Sequence, residues 1–137
     1  AYVGDDIWWN YFKFAFDRNP WDRQISWYFY KTKTKASRPS FESFMASRRR
    51  AYVDNHEIYM EDGALAVDFL GRYETLEADL AKALHMVGVA RKLDVPKSNV
   101  TPNKETRQDY RSYYTPKTEA VVREWYAPEI ALLNYGF

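Results

Sequence analysis

The chain has 137 residues, a formal net charge of +1 at pH 7 and no cysteine. Its length predicts one domain, residues 1–137. The small net charge argues against a nucleic-acid or membrane-surface partner, because such binding depends on a large basic excess. Without cysteine there are no disulfides and no thiolate chemistry, which fits a cytoplasmic protein. No apolar run approaches the length of a membrane span.

The first predicted elements are a strand at Trp9–Asp17 and a helix from Pro20 to about Thr32. The strand segment alternates phenylalanine with polar or small residues, the period of a strand. Asn19 is a favoured N-cap and Pro20 a favoured first helical residue, since the missing donor of proline would have no partner there. The sequence therefore predicts an abrupt strand-to-helix junction.

Arg18 stands at this junction, directly after the predicted strand. Open α/β sheets bind ligands at the carboxyl ends of their strands, and a helix N-terminus offers unpaired N–H groups and a partial positive charge. The junction therefore predicts a site for a phosphate. The alternative is that Arg18 only forms a surface ion pair with Asp17 or Asp22.

Turn signals and apolar periodicity predict the elements that follow. They are a loop at Ser37–Pro39, a helix from Ser40, an irregular stretch at Asp54–Gly63, a strand at Leu65–Leu70, a helix at Thr75–Val87 with Gly88 as its C-cap glycine, a loop at Ala90–Pro102, and helices at Glu105–Tyr114 and Pro116–Leu133. This order predicts an α/β fold with few parallel strands and a mostly helical C-terminal part.

The run Arg18-Asn19-Pro20-Trp21-Asp22-Arg23, followed by Ser26, resembles the 3′-phosphate-binding motif of the sulfotransferases. Those enzymes use 3′-phosphoadenosine 5′-phosphosulfate (PAPS) as the sulfuryl donor. The resemblance implies that Arg18 and Ser26 hold the 3′-phosphate of this donor. A guanidinium presents a planar fork to phosphate oxygens, and a hydroxyl two helical turns further on can donate one more bond.

Two later stretches extend the resemblance in the same order. Residues 67–79 resemble a strand-to-helix segment of the family, which implies that Tyr73 contacts the adenine; the alternative is that Tyr73 closes the core. Residues 103–115 resemble a late loop that folds over the nucleotide, which implies donor groups from Asn103 and Lys104. The alternative is that Lys104 belongs to a solvated helix face.

The resemblance implies a partial P-loop-NTPase-like sulfotransferase fold, N-terminally incomplete, because the P-loop-like segment of the family would precede Tyr11. It also implies sulfuryl transfer from PAPS to a small-molecule or glycan acceptor, with a carbohydrate hydroxyl favoured and no metal ion. Self-association into a homo-oligomer would cover an open sheet edge. The acceptor and the catalytic base are not determined; His56 and His85 are the two histidines available, and neither matches the position of the family base.

Three further hypotheses about function stay open. The basic clusters Lys31, Lys33, Lys35, Arg38 and Arg48–Arg50 could line an acceptor cleft for an anionic glycan, or they could be solvated charges favoured by helix dipoles. The chain could be a non-catalytic module that binds a nucleotide or assembles with another chain. It could also bind single-stranded nucleic acid through stacking tryptophans, which are Trp8, Trp9, Trp21 and Trp27.

Overall fold

A computed structural model describes residues 4–34, 36–90 and 109–137. Its elements in chain order are α1 (Asp5–Asn10), β1 (Phe14–Asp17), α2 (Pro20–Lys31), α3 (Phe41–Met45), α4 (Arg48–Ala51), α5 (His56–Tyr59), β2 (Met60–Glu61), β3 (Ala64–Leu65), β4 (Phe69–Arg72), a 3-10 turn (Tyr73–Thr75), α6 (Leu76–Met86), a second 3-10 turn (Tyr110–Tyr113), α7 (Pro116–Trp125) and α8 (Ala127–Leu133). The described part is thus a mixture of helices and small sheets.

These elements fall into two compact units. Among the described residues, 4–17 and 55–90 form the strand unit, while the helical unit holds 18–54, apart from position 35, and 109–137. No helix in these described ranges is long and apolar enough to cross a membrane. Whether the whole chain acts as one domain stays a prediction.

The strand unit contains a parallel pair of strands and a hairpin. β1 and β4 are parallel, with Phe14 opposite Phe69 and Asp17 opposite Arg72. β2 and β3 are antiparallel and meet across Asp62-Gly63, where φ is 49° and 78°. Positive φ at both central residues is the geometry of a type I′ turn, which Asp-Gly favours because both residues tolerate it. The expectation of few parallel strands is therefore confirmed.

The helical unit is built around the apolar face of α2. Its core consists of Trp21, Ile25, Tyr28, Phe41, Phe44, Met45, Ala51, Val122 and Tyr126. Three of these come from α2 at spacings of four and three residues, so they share one buried face of that helix. The C-terminal Phe137 packs edge-to-face on Trp21, with ring centroids 5.7 Å apart.

The predicted helix ends are confirmed where a local signal marks them. The Ser40 side chain accepts from the Ser43 N–H before α3, and Thr115 forms a reciprocal capping box with Thr118 before α7. Gly88 follows α6 with a φ of 78°, the conformation expected of a C-cap glycine. These short-range contacts need no tertiary context.

Other boundaries were predicted wrongly. The strand expected from Trp9 begins only at Phe14, because residues 5–10 form α1. The stretch expected to be irregular contains α5 and β2, and the strand expected at Leu65–Leu70 is split between β3 and β4. The last helix breaks at Tyr126, since Pro128 has no N–H to bond and its ring would clash with the carbonyl of Glu124.

Gly71 marks the closest approach within the strand unit. A Cβ at this position would lie 2.5 Å from Cε1 and 2.7 Å from Cδ1 of Phe16, and 3.1 Å from Cβ of Asp79. The Phe16 ring packs directly over the β4 backbone, so only glycine leaves it enough room.

We expect Gly71→Ala to lower the free energy of unfolding by about 1–3 kcal/mol, because the ring of Phe16 must shift to admit the new methyl group. The control is Gly136→Ala, where an added Cβ meets no atom within 4 Å; its effect should stay within about 0.5 kcal/mol. Urea unfolding of both variants measures the difference, and equal stabilities would contradict the close packing.

Candidate functional site

The start of α2 is fixed by the side chain of Asn19. Its Oδ1 accepts from the backbone N–H of Trp21 at 3.0 Å and of Asp22 at 3.5 Å. Its Nδ2 donates to the carbonyl of Gly136 at 2.8 Å. The predicted N-cap is therefore confirmed, and it also binds the C-terminal tail to the helix start.

Arg18 precedes this cap and is half-buried. Its Nε and Nη2 lie 2.6 and 2.5 Å from the same carboxylate oxygen of Asp22, one helical turn further on. The ion pair considered from the sequence is thus present, and its partner is Asp22. An anion that reaches Arg18 has to share the guanidinium with this carboxylate or displace it.

Ser26 lies in the middle of α2 and is also half-buried. Asp22 and Ser26 are four residues apart, so they occupy one face of the helix, and Arg18 precedes them at the same spacing. The arrangement lines up a guanidinium, a carboxylate and a hydroxyl along the helix from its N-terminus.

The same helix also carries a buried polar network, formed by the side chains of Arg23 and Gln24. Arg23 donates to Glu129 at 3.0 Å, and both side chains are less than a tenth exposed. The Tyr126 hydroxyl donates to Oε1 of Gln24 at 3.0 Å and accepts from the Val53 N–H at 3.0 Å. Burial, the main cause, raises the pKa of Tyr126 to about 12, so it stays a neutral donor in this network.

The sequence gives little indication of this network. Its only sequence signal is a pair of long polar side chains, Arg23 and Gln24, adjacent to the apolar positions Trp21 and Ile25 that define the buried face. Both polar side chains are buried as well. They fix the rotation of α2 about its axis, because any other rotation would leave their groups unsatisfied.

A second buried carboxylate, in the strand unit, was also missed. Asp17 is 1% exposed and accepts from the Tyr59 hydroxyl at 2.7 Å and from the Asn55 amide at 3.4 Å. The alternation of residues in β1 predicts only that Asp17 lies on the polar face of the strand. Its partners lie about forty residues further along the chain. Asp17, the last residue of β1, is thereby bonded to Tyr59 in α5 and to Asn55, the residue before α5.

Tyr73 begins the 3-10 turn that follows β4 and is 43% exposed. It does not close the core, so its ring is accessible to a ligand. The proposed adenine contact stays a prediction. Asn103 and Lys104 lie outside the described residues.

The two histidines stand in different settings. His56 is the first residue of α5, with its ring edge-to-face against Tyr59 at 5.9 Å. His85 is exposed in the last turn of α6. No group of three acidic or histidine side chains in residues 4–34, 36–90 and 109–137 is arranged to hold a metal ion.

Comparison with known proteins gives two matches. The family model described as the sulfotransferase family matches residues 3–136. The chain is also similar to an uncharacterized protein of Archaeoglobus fulgidus, with 36% identity over an alignment of 97 residues that covers 68% of this chain and 81% of that protein. No solved structure matches the chain.

Asp79 holds the turn that follows Tyr73. Its carboxylate accepts from the Arg72 N–H at 3.0 Å, from the Thr75 hydroxyl at 2.7 Å and from Lys82 Nζ at 2.7 Å. These bonds, led by that of Lys82, lower the pKa of Asp79 from 3.8 to about 2. The carboxylate therefore joins the end of β4 to the first turns of α6.

A lowered pKa means that Asp79 contributes stability above pH 4 and that this contribution is lost as the pH falls through about 2. We expect Asp79→Asn to cost about 1–2 kcal/mol at pH 7 and to flatten the stability profile below pH 4. Glu77→Gln removes the same charge from an exposed position of the same helix and should change little. Denaturant unfolding from pH 2 to 7 measures both; parallel profiles for Asp79→Asn and the parent would contradict the assignment.

Proposed function

The chain belongs to the sulfotransferase family, and on that premise we propose that it transfers a sulfuryl group from PAPS to a hydroxyl of a carbohydrate acceptor. A P-loop-like sulfotransferase fold is part of this proposal. In the reaction the acceptor oxygen bonds to sulfur, the bond from sulfur to the 5′-phosphate oxygen breaks, and the hydroxyl proton passes to a base. The products are the sulfate ester and 3′-phosphoadenosine 5′-phosphate.

The observation that carries this proposal is the position of Arg18 one residue before the N-cap of α2. The cap holds the helix start rigidly through three hydrogen bonds of one side chain, that of Asn19. A phosphate beside Arg18 would meet a guanidinium fork and the positive end of a twelve-residue helix. Both favour a doubly charged anion, such as the 3′-phosphate of the donor.

Ser26 would donate one hydrogen bond to the same phosphate. It follows Asp22 by four residues on α2, so the two residues share the helix face on which the ion pair lies. The contribution of one neutral donor is smaller than that of the guanidinium, about 0.5–1.5 kcal/mol against about 1.5–3 kcal/mol.

Asp22 acts on this site through Arg18. Without a ligand it bonds to Nε and Nη2 of the guanidinium. A phosphate dianion carries twice its charge and can compete for the same two groups. We infer that Asp22 orients Arg18 for the donor and lowers the affinity for singly charged anions.

The remaining donor contacts in this proposal come from Tyr73 and from Asn103 and Lys104. The exposed ring of Tyr73 can stack on adenine or meet its edge. The amide of Asn103 and the ammonium group of Lys104 would donate to phosphate oxygens or to adenine. None of these side chains is assigned a role in the chemical step.

The test is calorimetric titration with 3′-phosphoadenosine 5′-phosphate. We expect the parent to bind saturably, Arg18→Ala to weaken binding about 10- to 100-fold and Ser26→Ala about 2- to 10-fold, in line with one charged and one neutral hydrogen-bond donor. 5′-Adenosine monophosphate, which lacks the 3′-phosphate, should bind the parent and Arg18→Ala equally.

Arg123→Ala is the matched control. Arg123 also pairs with a carboxylate one turn away, that of Glu119 at 2.6 Å; its guanidinium lies 5.2 Å from the ring centroid of Trp21, so it tests a cation near the motif that is not part of it. Its loss should leave nucleotide binding unchanged. Equal weakening by Arg18→Ala and Arg123→Ala would show that the effect is general electrostatics, and a folded parent that binds no nucleotide would refute the donor site.

A further inference from the structure

The turn that begins with Tyr73 is bonded at both ends to one oxygen of Asp79. Oδ2 of this carboxylate accepts from the Arg72 N–H at 3.0 Å and from the Thr75 hydroxyl at 2.7 Å. These donors belong to the residue before Tyr73 and to the second residue after it. We call the three bonded residues, Arg72, Thr75 and Asp79, the Asp79 clamp.

Asp79 is itself held in place on two sides. Lys82 Nζ donates to its other oxygen, Oδ1, at 2.7 Å, and the side chain of Asp79 is 9% exposed. An added Cβ at Gly71 would lie only 3.1 Å from the Cβ of Asp79. Glycine at that position therefore lets the carboxylate reach the end of β4.

The backbone of Tyr73 is fixed, whereas its side chain is exposed. The carbonyl of Tyr73 accepts from the Leu76 N–H at the end of the 3-10 turn, and 43% of the surface of Tyr73 is accessible. A fixed backbone leaves a tyrosine only its two side-chain torsions, so little entropy is lost when a flat ligand packs on the ring. The clamp thus prepares an exposed ring for binding.

We propose that Asp79 is a positioning residue of the nucleotide site, which acts through Tyr73 and holds its ring where the adenine of the donor packs on it. This inference rests on the proposed function, because the adenine contact of Tyr73 belongs to that function. Without the clamp, only a fraction of the molecules have the binding-competent turn, and the apparent affinity falls by that fraction. The phosphate contacts proposed for Arg18 and Ser26 do not depend on the clamp.

The experiment compares two ligands by calorimetry. One is 3′-phosphoadenosine 5′-phosphate, and the other is an abasic anhydroribitol bisphosphate, which has the same sugar and both phosphates but no base. The parent should bind the nucleotide about 5- to 100-fold more tightly, the effect of stacking one base on an aromatic ring. Tyr73→Ala should remove this difference.

Thr75→Val removes one bond of the clamp and keeps the size of the side chain. We expect it to weaken nucleotide binding about 2- to 10-fold, the population shift that one hydrogen bond can hold, and to leave the affinity for the abasic ligand unchanged. Thr75→Ser keeps the hydroxyl and should retain the affinity of the parent. Asp79→Asn should act in the same direction as Thr75→Val, because an uncharged acceptor forms weaker hydrogen bonds.

The Tyr73→Ala background separates positioning from a general effect on stability. In that background Thr75→Val should cause no further loss of nucleotide affinity, because the ring on which the clamp acts is absent. An equal loss with and without the ring would show a purely structural role and overturn the proposal.

The control is Thr32→Val in the helical unit. It removes a hydroxyl bond of the same length, 2.7 Å, to the carbonyl of Tyr28. Its nucleotide affinity should match that of the parent. If it weakens nucleotide binding as much as Thr75→Val does, the effect is not specific to the clamp and the proposal is wrong.

The same titrations distinguish a failure of this inference from a failure of the donor site. A folded parent that binds neither ligand would refute both. Equal binding of the two ligands by the parent would refute the adenine contact, and with it the role of Asp79, but not the phosphate contacts. Nucleotide binding that falls in Tyr73→Ala but not in Thr75→Val or Asp79→Asn would overturn the role of Asp79 alone.

Discussion

The helical unit and the proposed donor site both depend on the hydrogen bonds of the Asn19 side chain. One side chain closes the first turn of α2 and holds the carbonyl of Gly136 in the tail. The helix that starts there buries the core residues Trp21 and Ile25. The same start sets the position of Arg18, one residue before it. Stability and ligand geometry are therefore coupled at a single cap.

The polar network behind α2 complements this cap. A buried ion pair such as Arg23–Glu129 contributes little net stability, because the desolvation of both charges offsets their attraction. It costs much to break, however, so it selects one rotation of the helix. The hydrogen bonds of Gln24 to Tyr126 and to the carbonyl of Ala51 select the same rotation of the helix. The face that carries Asp22 and Ser26 is thereby fixed in direction without using any of the proposed ligand groups.

Two kinds of contact hold the cations of the helical unit. Arg18 is paired with Asp22, so an anion that binds Arg18 has to compete with this carboxylate. Lys31 and Lys33 are held by rings, which orient a cation without cancelling its charge.

Prediction from sequence succeeded where the signal lies within a few residues. The cap at Asn19, the helix starts at Ser40 and Thr115 and the left-handed Gly88 are each set by one side chain or one φ angle. Boundaries without such a signal were misplaced. The strand expected from Trp9 is shorter, because an aromatic-rich segment packs as a helix or as a strand and its period alone does not decide which.

The amino-acid sequence by itself determined the family, the position of Arg18 directly before the cap of α2 and the position of Ser26 on that helix, because these follow from a contiguous motif and local helix signals. Only the tertiary structure decided that Asp17 is buried against Tyr59 and that Trp27 bonds to Arg50. Those contacts join residues 42 and 23 positions apart. No local period encodes such pairings, since they depend on how separate elements pack once the chain has folded.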